Sequence, residues 1–160
     1  MGVNTLSPQS GSVFGTLLTP DRLGGFFAIV TRMVTLFVAA VSTTLTRGKN
    51  APIYYSLLSF TALGMLLLSY STDLLMLFIA WELMSLPTYV LAGFDKKRAQ
   101  SNEAAAKYAI LGALSSAVIL YAISLTYGVS GTTQIADAVR AIASQPVSYT
   151  HLTLPTTPYV

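Results

Sequence analysis

Glu82 stands in the apolar stretch FIAWELMSLPTYVLAGF (Phe78–Phe94), with Pro87 five residues further on. It is about nine residues into its apolar segment, so a helix would carry it roughly 13 Å from the nearer end. If that segment crosses a bilayer, holding a carboxylate there costs on the order of 2.5–3.5 kcal/mol by insertion scales. Desolvation disfavours the charged form, which suits such a group to taking up and releasing a proton. The plainer explanation is an acid satisfied by a hydroxyl or a cation on a neighbouring helix. Pro87 cannot donate to the carbonyl of Leu83, which leaves a free acceptor beside Glu82 that can hold a water. A packing kink at Pro87 explains it equally well. Lys107 is the second candidate, three or four residues inside a later apolar segment. Glu103 lies four residues before it, in the favourable order for a pair on a helix surface, and the ammonium can also snorkel. The residues alone leave those readings of Lys107 open. Arg32 is the third, at about the same depth in the first segment as Glu82 in its own. It is a candidate charge partner for Glu82 if the two helices touch; otherwise it faces a neighbour outside these segments.

Other chemistries find little support. The chain has no Cys and one His among 160 residues, which excludes thiolate sites and makes a protein-only zinc site implausible. A net charge of +3 spread over short loops gives no basic face for a nucleic acid. There is no P-loop, no glycine-rich dinucleotide turn and no metal-ligand spacing. Asp73, Asp95, Lys96, Lys97 and Arg98 read as solvated charges at segment ends that set orientation. Trp81 and the nine tyrosines read as packing or interface residues.

The elements that must position Glu82, Lys107 and Arg32 follow from composition. The chain is 53% hydrophobic and 9% charged, against about 25% charged in soluble domains. Four apolar segments, about 23–45, 52–69, 74–94 and 104–127, each approach the ~20 residues needed to cross a bilayer. Lipid offers no partner to free backbone groups, so each must be helical. The expected fold is all-α, a polytopic membrane bundle of four transmembrane helices. Arg47 and Lys49 fall in one connection, 46–50, and Lys96, Lys97 and Arg98 in another, 95–101, while the YSTD connection between them has no cation. Four consecutive spans place both cationic loops on one face, and the positive-inside bias makes that face cytoplasmic. Residues 1–22 are then an extracytoplasmic segment, and their composition is not that of a signal peptide. Ser101 is expected to cap the fourth helix, with Glu103 in its first turn. Ala105, Ala109, Gly112, Ala113, Ser116 and Ala117 form a small-residue stripe suited to close helix packing. Residues 128–145 read as a short outer interfacial helix with Ile135, Val139 and Ile142 on one face. The last stretch, PVSYTHLTLPTTPYV, resembles translated sequencing-adaptor peptides. Residues 146–160 are therefore expected to be an artefactual tail, the alternative being an ordinary exposed one, and His151 is given no function.

The segments DLLMLFIAWELMSLPTYVLAGF and EAAAKYAILGALSSAVILYAISLTYGVSG resemble the N subunit of the proton-pumping NADH:quinone oxidoreductase, respiratory complex I, and its chloroplast and archaeal relatives. FGTLLTPDRLGGFF and SLLSFTALGMLLLSYSTDLL fit that family more loosely. The resemblance covers about residues 12–144, and ELMSLPTYVLAG followed by KY-x2-LGA-x-SSA is its most specific part. It implies an antiporter-like bundle of more than a dozen helices built from inverted repeats, of which this chain looks like the third to sixth, without a complete proton path. It implies a non-redox translocase subunit that binds no cofactor itself. Quinone, NADH or an alternative donor, FMN and Fe–S clusters belong to other subunits of the complex. The partners it implies are other membrane-arm subunits and the lipid bilayer, in a prokaryotic cell membrane. The family's intramembrane glutamate falls on Glu82, and the lysine of the following helix on Lys107, whose protonation would depend on that of Glu82. The competing expectation is a cation/proton antiporter subunit with no redox partner, and the SLPTYVLAG block looks more like the oxidoreductase subunit.

Overall fold

The computed structural model describes residues 15–46 and 50–144. Arg47, Lys49 and the 146–160 tail with His151 lie outside the described residues, as do residues 1–14. Five helices follow in order: α1 (Arg22–Leu45), α2 (Ala51–Tyr70), α3 (Leu74–Ala92), α4 (Ala99–Ser130) and α5 (Ile135–Ser144). The first four are long and apolar enough to cross a membrane, and the chain is a multi-pass membrane protein.

Three of the expected spans differ from the observed helices by only one or two residues at either end. The fourth does not: α4 runs for 32 residues, about 48 Å, where a span of 104–127 was expected. The extra N-terminal turn is Ala99–Glu103, a polar run in which Ala99, Gln100 and Glu103 are good helix formers and which needs no lipid to stay helical. Ser101 consequently does not cap α4. Arg98 occupies the cap position and contributes no side-chain bond, and no acid lies in the first turn. The Ser101 hydroxyl instead donates to the carbonyl of Ala92 at the end of α3, 2.9 Å away. At its other end α4 stops at Gly131, whose φ of 70° is the left-handed conformation that glycine adopts without strain.

The helices pack in sequence, α1 on α2, α2 on α3, α3 on α4, with α5 against α4. The interior is made of small side chains: Ala28, Ala80, Ser42, Thr61 and Ser85 are buried. The large ones point outward, Leu36 and Phe37 on α1 and Ile110 and Leu111 on α4 among them. In water that arrangement would be inverted. In lipid there is no drive to hide leucine, and association depends on close van der Waals packing of small residues. Gly64 shows how close: a Cβ there would lie 2.5 Å from the backbone nitrogen of Met84 and 2.9 Å from the carbonyl oxygen of Ala80. α2 and α3 therefore meet backbone to backbone.

One end of the bundle is laced together. Thr19 N donates to Tyr70 O at 2.9 Å, Thr72 N to Leu17 O at 3.1 Å, Leu74 N to Thr133 O at 2.8 Å and Ile135 N to Thr72 O at 3.0 Å. The segment before α1, the α2–α3 connection and the α4–α5 connection thus share one face, as alternating spans require.

Candidate functional site

Asp73, expected to be a solvated loop charge, is instead 2% exposed. It caps α3, its Oδ1 accepting from the backbone of Leu75 at 2.9 Å and Met76 at 3.1 Å. Its Oδ2 accepts from the Thr133 hydroxyl at 2.5 Å and the Gln134 amide at 3.4 Å. The sequence concealed this because both latter donors come from some sixty residues away. Asp95 does match the reading for span ends: it is exposed and lies 3.8 Å from Arg98.

From that anchored end α3 runs to Glu82, eight residues past Leu74. Glu82 is half-buried, and the hydroxyl of Ser116 on α4 donates to its Oε1. Among the described residues no cation pairs with it. The sequence placed Ser116 in the small-residue stripe but did not identify it as the partner of Glu82. The same residue satisfies both roles, being small enough for close packing and polar enough to hold a carboxylate in place. Pro87 is buried within α3, which stays helical as far as Ala92 on its other side.

The α3–α4 seam continues from there in antiparallel register. Tyr89 lies about two turns beyond Glu82 and packs against Gly112, one turn before Ser116. A Cβ on Gly112 would collide with the Tyr89 hydroxyl and ζ-carbon. The rings of Tyr89 and Tyr108 meet edge to face at 4.8 Å, and the Thr88 hydroxyl donates to the Tyr108 oxygen at 3.3 Å. Near the end of the seam, a Cβ on Gly93 would lie 2.7 Å from that of Ala105. Residues 82 and 89 of α3 and Gly93 at its C-cap recur at helical spacing, as do 105, 112 and 116 of α4, so each set forms one stripe.

Lys107 and Arg32 stand apart from this seam. Lys107 is paired with Glu103 at 2.5 Å, the two side chains 71% and 63% exposed. It is nine residues from Ser116 on a helix that turns 100° per residue, so it lies on the opposite face of α4 and about 13 Å along it. The helix-surface pair is the arrangement observed, and Lys107 does not meet Glu82. Arg32 is exposed on α1, and its pairing with Glu82 is not formed. The reason is the packing order: α1 lies against α2, and α2 against α3. No cluster of His, Asp and Glu fit to hold a metal occurs among the described residues.

Comparison with known proteins follows the same stretch of chain. The family described as NADH:quinone oxidoreductase/Mrp antiporter, transmembrane, matches residues 71–156, more than half of the chain. NADH-quinone oxidoreductase subunit N 2 of Rhizobium meliloti is 38% identical over 144 residues, covering 89% of this chain and 30% of the relative. F(420)H(2) dehydrogenase subunit N of Methanosarcina mazei is 39% identical over 125 residues, 78% of this chain and 25% of the relative. NAD(P)H-quinone oxidoreductase subunit 2 of Prochlorococcus marinus is 37% identical over 150 residues, 92% of this chain and 28% of the relative. The chain thus spans less than a third of the length of each of these relatives.

Proposed function

The chain belongs to the NADH:quinone oxidoreductase/Mrp antiporter transmembrane family, and from that premise we propose that it moves protons as a membrane subunit of a quinone-reducing oxidoreductase complex. Glu82 is the group that loads and releases the proton. The observation carrying this reading is its setting: a carboxylate eight residues into an apolar helix, held by the Ser116 hydroxyl of the next helix, with no cation paired to it among the described residues. An acid kept at that depth is costly and is retained for what it does.

The relatives support a role separate from electron transfer. Their names give different donors, NADH, NAD(P)H and F(420)H(2), while each matches more than three quarters of this chain. We read the stretch they share with this chain as serving a step they have in common, apart from donor chemistry. NADH or its equivalent, FMN, Fe–S clusters and quinone are accordingly assigned to other subunits, and other membrane-arm subunits are its partners. Its loops 46–50 and 95–101 face the cytoplasm of a prokaryotic cell membrane. Lys107 serves as a second ionisable group, held by Glu103 on the far face of α4, so any influence on Glu82 acts across the helix and not through a direct pair. A cation/proton antiporter subunit without a redox partner is the competing function. The family description covers both, but the relatives named above are all oxidoreductase or dehydrogenase subunits.

The test is Glu82→Gln in the complete subunit of an assembled complex reconstituted in proteoliposomes. Glutamine keeps an acceptor for Ser116 and removes the titratable group. Donor-driven proton translocation should fall by on the order of 10²-fold or more. Translocation at the unsubstituted rate would eliminate Glu82 as the loading site.

A further inference from the structure

Resting on that reading, we propose that Tyr89 is a proton relay that connects Glu82 to a groove at the cytoplasmic end of the α3–α4 seam. The groove has a volume of about 520 Å³, and Lys96, Asn102, Gly93 and Ala105 line it together with Tyr89. It opens beside the connection bearing Lys96, Lys97 and Arg98, the cation cluster that assigns this end to the cytoplasm. Tyr89 belongs both to the groove and to the seam. Its ring leaves the groove and crosses to α4, where the hydroxyl rests against Gly112 because that residue has no Cβ.

Gly112 is one helical turn from Ser116, about 6 Å of rise. An interval of that size can be bridged by hydrogen-bonded water, each O···O bond contributing about 2.8 Å. Ser116 already donates to Glu82 Oε1. The sequence of acceptors is therefore groove water, Tyr89 oxygen, a bridging water, Ser116 oxygen and Glu82 carboxylate. A proton that binds the Tyr89 oxygen displaces the phenolic proton toward Ser116. The Ser116 proton passes to Glu82 and is replaced from the Tyr89 side. Glu82 ends as a neutral carboxyl, both hydroxyls end as they began, and no electron moves. On α3 between Glu82 and the groove, Leu86 is apolar, Pro87 is apolar and buried, and the Thr88 hydroxyl is engaged with Ser85 O and the Tyr108 oxygen, so the tyrosine supplies the polar step toward Ser116.

Tyr89→Phe in the complete subunit of the assembled complex tests this, because it removes one oxygen and keeps the ring packed on Tyr108. Proton translocation into proteoliposomes should slow at least about tenfold, and its solvent-deuterium isotope effect should change. Tyr108→Phe, whose hydroxyl faces Thr88 and lies outside the path, should translocate normally. Gly112→Ala provides an independent variant: it keeps the phenol but pushes its hydroxyl off α4, and translocation should again slow. If Tyr89→Phe and Gly112→Ala both translocate normally with an unchanged isotope effect while Glu82→Gln does not, the relay is overturned and Glu82 remains the loading site. If Glu82→Gln itself translocates normally, both readings are overturned, since the relay ends on that carboxylate.

Discussion

Removing the Asp73 carboxylate should loosen the end of the bundle from which α3 sets out. Asp73→Ala deletes a helix cap, which costs about 1 kcal/mol. It also deletes the acceptor of a hydrogen bond from Thr133 at 2.5 Å, and bonds to a charged group contribute about 1.5–3 kcal/mol. The contact from Gln134, at 3.4 Å, is too long to add much. The sum is about 3 kcal/mol, a factor of roughly 150 in the folded-to-unfolded ratio. Asp73→Asn keeps the cap, because asparagine caps as well as aspartate, and should lose about half as much. Denaturant unfolding of the protein in detergent micelles reads both values. A double-mutant cycle with Thr133→Val isolates the cross-connection bond, and its coupling should be about 1.5 kcal/mol or more. Amide exchange at Leu75 and Met76, whose N–H groups the carboxylate accepts, should accelerate in Asp73→Ala. Coupling within about 0.5 kcal/mol of zero, with Asp73→Ala no worse than the loss of a cap, would refute the claim that this carboxylate joins the α2–α3 and α4–α5 connections.

Two further substitutions probe the packing and the lysine. Gly64→Leu places a branched side chain where even a Cβ would lie 2.5 Å from the Met84 backbone. It should destabilise by about 1–3 kcal/mol as α2 is forced off α3, seen as a lower Tm, and an unchanged Tm would contradict the backbone-to-backbone contact. Lys107→Ala should cost no more than about 0.5 kcal/mol of stability, since its pair with Glu103 is a largely exposed i,i+4 bridge. A loss above 1 kcal/mol in the same unfolding assay would show that Lys107 has a stronger partner than Glu103.

Much of this protein was decided one residue run at a time. Hydrocarbon thickness and the cost of charge in lipid fix where a helix must cross, so the apolar runs marked α1, α2 and α3 almost to the residue. The same cost singles out Glu82, because an acid there is conspicuous whatever surrounds it. Sequence reasoning failed where an answer depended on a distant partner. Ser116 meets Glu82 because α3 and α4 pack with one particular rotation and register, set by small residues such as Gly112, Gly93 and Ala105. Lys107 turns away by the same rotation. Arg32 misses Glu82 because α1 packs chiefly on α2 and leaves Arg32 exposed, which neither residue's neighbours could reveal. Asp73 has the composition of a loop charge and is buried only because Thr133 and Gln134 return to it after two helices. Local chemistry thus decided which groups are expensive to place, and tertiary packing decided which of them touch, because the rotation of one helix against another is a property of both surfaces together.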